Sequence, residues 1–226
     1  MQTTTDHLVV VAHTLAQGVE WCEATLGCTP GPGGRHALMG THNRLLAIGS
    51  AEHPNAYLEV IAIDPDAPPP TRARWFGMDD ARLQAAVRDA PQLVHVVART
   101  SNAEMLRWGL VNLGQDPGVP VAAERHTPQG LLRWRIVLRD DGRVDAAFAL
   151  PTLIEWSGRH PAESMAASPV QLRTVRAGGM PDRVATLLRW RGLQHGAAPT
   201  PRWQVALQAP TGDVTLSSWS PDHPQP

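Results

Sequence analysis

Two short apolar strands of this 226-residue chain each carry a single histidine, and that repetition limits the fold more than any other feature. Asp6-His7-Leu8-Val9-Val10-Val11 opens the chain, and Leu93-Val94-His95-Val96-Val97-Ala98 repeats the pattern further on. A helix pattern, a turn and a hairpin-like region follow each copy. Each stretch then closes on an apolar strand holding one glutamate, Glu59 in Tyr57-Leu58-Glu59-Val60-Ile61 and Glu155 in Leu153-Ile154-Glu155-Trp156. Side chains alternate between the faces of a strand, so each unit sets one imidazole and one carboxylate among apolar neighbours. Burying a carboxylate is costly unless it is paired or bound to a cation. Two histidines and two glutamates therefore point to one shared centre, where a divalent ion would neutralise both carboxylates.

The local signals give each unit the order βαβββ or close to it. In the first, residues 6–63, Thr14 and Gln17 have capping-box spacing, and Val19, Cys22 and Leu26 recur at helical intervals before the stop at Gly27. The Pro30 to Gly34 run reads as a turn or loop, Arg44 to Ile48 as a strand, and Glu52 to Asn55 as the turn into the Glu59 strand. Residues 64–91 form a linker with Pro65, Pro68, Pro69 and Pro70, then a connecting helix opened by Asp79 and Asp80. In the second unit, residues 92–158, Ser101 and Glu104 have capping-box spacing, Gly114 stops the helix, and 115–130 reads as a long loop. Leu131 to Leu138 and Leu150 to Trp156 read as strands, with a turn at Asp140-Asp141-Gly142. A C-terminal extension, residues 169–220, reads as a partial βαββ module: a strand at Leu172 to Val175, a helix from Pro181 to Gly192 and a hairpin of Trp203 to Leu207 with Val214 to Trp219. It has no matching His and Glu, so it is expected to be a packing or dimerisation element, and a homodimer is among the expected states.

Charge removes several function classes. Twenty cations face 21 anions, for a net charge of −1 without long runs of either sign, so neither nucleic acid nor an anionic membrane is an expected partner. Every cation is arginine. Without lysine, Schiff-base chemistry, a Walker lysine and pyridoxal phosphate attachment are excluded. There is no Gly-x-Ser-x-Gly elbow and no Gly-x-Gly-x-x-Gly after a strand. With no apolar run of membrane length and no secretory start, a cytoplasmic location is expected, and Cys22 and Cys28 read as buried reduced thiols. What remains is histidine and carboxylate chemistry on a small-molecule substrate.

In this order the motifs resemble the vicinal oxygen chelate superfamily, which holds glyoxalase I and the extradiol ring-cleaving dioxygenases, and more narrowly its glyoxalase-like members. The resemblance covers residues 6–156. It rests on Asp6-His7-Leu8-Val9-Val10, Gly33-Gly34-Arg35-His36 with Gly40-Thr41-His42-Asn43, Tyr57-Leu58-Glu59, Val94-His95-Val96-Val97, and Leu150-Pro151-Thr152-Leu153-Ile154-Glu155-Trp156. It implies an α+β fold of paired βαβββ modules forming a cleft, as in glyoxalase and bleomycin-resistance proteins, with the C-terminal partial module in addition. It also implies a divalent metal, Zn, Ni, Co, Mn or Fe, held by His7, Glu59, His95 and Glu155, with Glu59 or Glu155 moving a proton in an isomerase or lyase reaction. Two alternatives of the same fold are an Fe(II) extradiol-type dioxygenase using His7, His95 and Glu155, and a metal-free protein that sequesters a small molecule. His42, Asn43 and Trp156 are the expected substrate contacts, and Trp75 and Trp134 are further wall candidates. The remaining histidines, including His36, His160 and His223, read as loop or surface residues.

Overall fold

The structure is a computed structural model that describes residues 2–144, 147–196 and 202–221, so His223 lies outside the described residues. The first unit runs β1 (Thr4–Val11), α1 (Leu15–Leu26), β2 (Gly31–His36), β3 (Thr41–Ala47) and β4 (Tyr57–Ile63). After α2 (Ala81–Asp89), the second runs β5 (Gln92–Arg99), α3 (Ala103–Asn112), β6 (Val119–Thr127), β7 (Gly130–Leu138) and β8 (Thr152–Ser157). Together they build one eight-stranded sheet in the order β2-β3-β4-β1-β5-β8-β7-β6. Within each unit the first and last strands pair in parallel, β1 with β4 and β5 with β8, and the antiparallel β1–β5 ladder joins the units. The repeated sequence pattern is thus a repeat of structure, and it sets the first strands of both units side by side at the sheet's centre.

Local chemistry explains the ends of α1. The Thr14 side chain accepts from the Gln17 amide at 3.1 Å, and Gly27 closes the helix at φ 66°, a conformation that favours glycine. Four expectations need correction. The Pro30 to Gly34 run is not only a turn: most of it enters edge strand β2, where Pro32 is tolerated and the pairing with β3 is irregular. The cap of α3 is Asn102, whose side chain accepts from Met105 at 2.9 Å, and not Ser101. Much of the expected loop 115–130 is β6, tied to β7 through nine residue pairs. In the extension the helix α4 spans Asp182–Leu188 and stops at Arg189, which turns into the left-handed region at φ 46°, well before Gly192.

Two apolar cores lie on the two sides of the sheet. One holds Leu8, Val10, Leu58 and Leu153 from the sheet, Cys22 and Leu26 from α1, and Leu106 and Leu110 from α3. The extension completes this side: β9 (Gln171–Gly178), α4, β10 (Leu193–Gly196), β11 (Trp203–Ala209) and β12 (Gly212–Ser217) form a second sheet ordered β10-β9-β11-β12. The strand β10 had no counterpart in the sequence reading. Leu172, Val184, Leu188 and Trp203 pack into the same core, and backbone bonds from Leu172 to Ile48 at 2.8 Å and from Trp219 to Leu93 at 2.7 Å seal the join. On the other side Val9, Ile61, Val97, Ile136 and Ile154 line the inside of the sheet's curve. Trp75, Phe76 and Met78 of the proline-rich linker, with Leu83 and Val87 of α2, pack into that concave side. The linker therefore forms part of the wall of a cleft.

Candidate active site

The cleft is organised by Asp6 and His7 of β1. The β1–β5 pairing is irregular between Thr5 and His7, and such a bulge re-aims side chains, here leaving both Asp6 and His7 buried. Three N–H donors converge on the Asp6 carboxylate: His7 Nδ1 at 2.7 Å on Oδ1, with His160 Nε2 and Trp156 Nε1 each at 3.0 Å on Oδ2. His160 caps the short 3₁₀ turn Pro161–Ser164 by accepting the Ala162 amide at Nδ1, which assigns its proton to Nε2, facing Asp6. Burial alone would raise the Asp6 pKa, but the bonds from His160 and His7 outweigh it and hold the carboxyl well below the usual range. An ionised Asp6 in turn holds a proton on His7 Nδ1, so Nε2 is the ring nitrogen turned toward Glu59. Tyr57 stacks on the His7 ring with centroids 4.7 Å apart, and burial, with the nearby Asp6 and Glu59 charges, pushes its hydroxyl pKa well up.

Glu59 on β4 has two unlike oxygens. Oε1 accepts from Asn43 Nδ2 at 2.5 Å, whereas Oε2 stands 3.5 Å from His7 Nε2, beyond a good hydrogen bond. Asn43 is itself fixed, because its Oδ1 accepts from the Gly34 amide at 2.8 Å and from Arg125 Nη1 at 3.2 Å, a bond that reaches from β6 across to β3. Gly33 makes this possible: a Cβ there would sit 2.1 Å from the Asn43 carbonyl oxygen. His36 lies 3.4 Å from Asn43 Nδ2 through its Nε2, and burial, helped by the Arg125 charge, holds its pKa near 3, so the ring is neutral. Trp75, Phe76, Trp134 and Trp156 supply aromatic wall. The cleft spans about 430 Å³ with its open mouth.

Of the residues singled out from sequence, His7, Glu59, Asn43 and Trp156 meet on this cleft, with the wall candidates Trp75 and Trp134. Glu155, His95 and His42 do not. Ile154 and Trp156 line the cleft, so alternation along β8 turns Glu155 the other way, where its carboxylate accepts the Ala103 amide at the start of α3 at 2.8 Å and pairs with Arg135 at 2.8 Å. His95 is buried between Phe76 and Trp203, and its Nε2 lone pair is taken by the Thr152 amide at 3.0 Å. Burial, then the charge of Arg202, holds its pKa near 3. His42 alternates with Asn43 and Leu45 on β3 and sits 3.9 Å from Asp64, off the cleft lining. The four-ligand metal centre is therefore not assembled: His7 and Glu59 offer two donors, and among the described residues no three His, Cys, Asp or Glu side chains gather as an ion requires. The residues present do not fit that group.

Sequence reasoning missed Asp6, His36, Tyr57, Arg125 and His160 as members of the site. Three of these had a readable signal. Asp6 directly precedes His7 in the motif, Tyr57 stands two residues before Glu59 and so shares its strand face, and His160 is followed by Pro161 and then Glu163 at capping-box spacing. Arg125 had none, because the strand carrying it read as loop.

The profile of the glyoxalase-like domain family matches residues 5–193. No curated protein matches significantly. Among solved structures, a hypothetical protein from Staphylococcus aureus superposes with a TM-score of 0.59 at 15% identity, covering 97% of this chain and 89% of that one. A methylmalonyl-CoA epimerase from Streptomyces coelicolor gives 0.44 at 15% identity over 71% and 99% of the two chains. That from Mycobacterium tuberculosis gives 0.39 at 14% identity over 68% and 86%.

Proposed function

The chain belongs to the glyoxalase-like domain family, within the vicinal oxygen chelate superfamily, and on that premise we propose that its cleft is the active site of an isomerase- or lyase-type enzyme in which Glu59 moves a proton on a small oxygen-rich substrate. One observation carries this reading. Glu59 is anchored through Oε1 by the short Asn43 bond, while Oε2 stands 3.5 Å from His7 Nε2. A carboxylate oxygen and a ring nitrogen so placed can pass one proton between them. A C–H bond beside a substrate carbonyl breaks, its proton goes to Glu59 Oε2, and its electron pair moves into the carbonyl. The arriving proton is then within reach of His7 Nε2. Asp6, holding His7 Nδ1–H at 2.7 Å, stabilises the imidazolium that results when the proton crosses. Return of the proton to another face or atom gives the isomer. His7 and Glu59 suffice for every step, and none is routed through a metal.

The test is solvent exchange. A panel of small 2-oxo and 2-hydroxyketone compounds is incubated with the protein in D2O, and C–H loss beside the carbonyl is followed by NMR. The parent exchanges one compound class, and Glu59→Gln loses exchange while still binding it. Equal exchange by Glu59→Gln, or binding by the parent with no exchange, would reject the enzyme reading; the second result would support the sequestering alternative.

A further inference from the structure

We propose that Arg125 and Trp75 form an anion subsite in the cleft, and that the substrate is a small flat carboxylic acid whose carboxylate meets their N–H groups. This deepens the reading of the cleft as an active site and rests on it. Two buried donors carry the argument. Among the described residues, Arg125 Nε and Trp75 Nε1 have no hydrogen-bond partner, although both residues line the cleft and Trp75 is only 5% exposed. Buried polar atoms in native proteins nearly always have partners, so two orphans on one cleft need an explanation. An oxygen-bearing ligand supplies it.

Charge narrows the ligand further. Among the described residues Arg125 makes no ion pair, whereas Arg74, Arg135 and Arg139 hold Asp79, Glu155 and Asp141 respectively. Among the described residues, the one side-chain hydrogen bond from Arg125 goes to the neutral Asn43 amide oxygen, through Nη1. That leaves the Nε side of the guanidinium fork, which suits the two coplanar oxygens of a carboxylate. Trp75 belongs to the same neighbourhood: it meets His36 edge-on at 4.9 Å, and His36 Nε2 lies 3.4 Å from Asn43, the residue that Arg125 holds. Trp134 and Trp156, with centroids 5.3 Å apart on the cleft lining, offer aromatic surface to a flat body. Asn43 bridges Arg125 and Glu59, so a carboxylate on Arg125 brings the carbon chain beside it toward the base.

The probes are benzoate and its neutral counterpart benzamide, titrated against the full chain by calorimetry and by tryptophan fluorescence. Benzoate is expected to bind the parent about tenfold or more tighter than benzamide, as loss of a charge-assisted pair implies. Arg125→Met should erase that preference. Trp75→Phe, which keeps the ring and removes the N–H, should weaken benzoate several-fold and leave benzamide unchanged, and it covers the case in which Arg125→Met fails to fold. Glu59→Gln should bind benzoate at least as well as the parent, so a cleft that takes the anion but exchanges no proton fails the enzyme reading alone. Equal affinity for the two probes, no saturable benzoate binding, or benzoate binding untouched by both Arg125→Met and Trp75→Phe overturns the subsite.

Discussion

Replacing Asp6 by Asn tests the cleft where it is most dependent on a single group. The carboxylate is fully buried and accepts from His7, His160 and Trp156 at 2.7 to 3.0 Å. The amide keeps the volume but turns one acceptor into a donor, which then faces N–H groups. Removing one partner of a buried charge pair costs about 3 to 5 kcal/mol, and the near-isosteric change belongs at the lower end, about 3. With roughly 2.1 cal/mol/K of unfolding entropy per residue, a chain of this length loses about 6 °C of melting temperature for 3 kcal/mol. The pH dependence has a definite sign. Asp6 has a folded pKa below its unfolded value, so its contribution is full above the unfolded value near 3.9 and fades as pH falls toward the folded one. The gap between parent and variant should stay constant from about pH 8 to 5 and narrow by about 1 kcal/mol by pH 3. Thermal melts followed by circular dichroism at five pH values measure both. A loss under about 1 °C at neutral pH, the size of an ordinary surface change, or a gap that does not narrow in acid would refute the reasoning.

His95→Gln should flatten the acid side of the stability curve: folded His95 stays neutral with its pKa near 3, so below the unfolded value of about 6.5 only the unfolded chain takes up the proton, and by pH 5 this has cost the parent about 2 kcal/mol. Urea titrations at pH 7 and pH 5 check it, and parallel losses in both proteins would contradict it. Gly33→Ala should displace Asn43 and, with it, the anchor of Glu59, lowering any exchange activity by about tenfold or more while the melting temperature falls by only a few degrees. Glu155→Gln should lose about 1 kcal/mol from the Arg135 pair and the α3 cap and leave ligand binding unchanged. Because two donors rather than four meet on the cleft, a chelator should leave the melting temperature within about 1 °C; a larger fall that is reversed by one equivalent of a divalent ion per chain would show a resident metal after all.

Periodicity and caps made the paired units legible, because each depends on neighbours within a few residues. Thr14, Gly27 and the apolar runs around His7 and His95 act locally, and the structure uses them so. The Gly-Pro strand β2 and the polar strand β6 were hidden for the opposite reason. Their extended form comes from pairing with β3 and β7, not from their own side chains, of which β6 shows no apolar alternation. Arg125 was lost with β6.

Phase is what decided the site. A pattern of one His and one Glu per unit says which strands matter, but a single residue of phase decides whether a side chain faces the cleft or the helices. On β4 Glu59 keeps the cleft phase, opposite Leu45 across the ladder to β3. On β8 the same pattern is displaced by one: Ile154 and Trp156 take the cleft and Glu155 becomes a helix cap. Trp156 then reaches Asp6, and His160, just beyond the end of β8, does the same. The last strand of the second unit thus contributes to the site through an indole and an imidazole held on the carboxylate behind His7, where the repeat alone would have set a glutamate beside it.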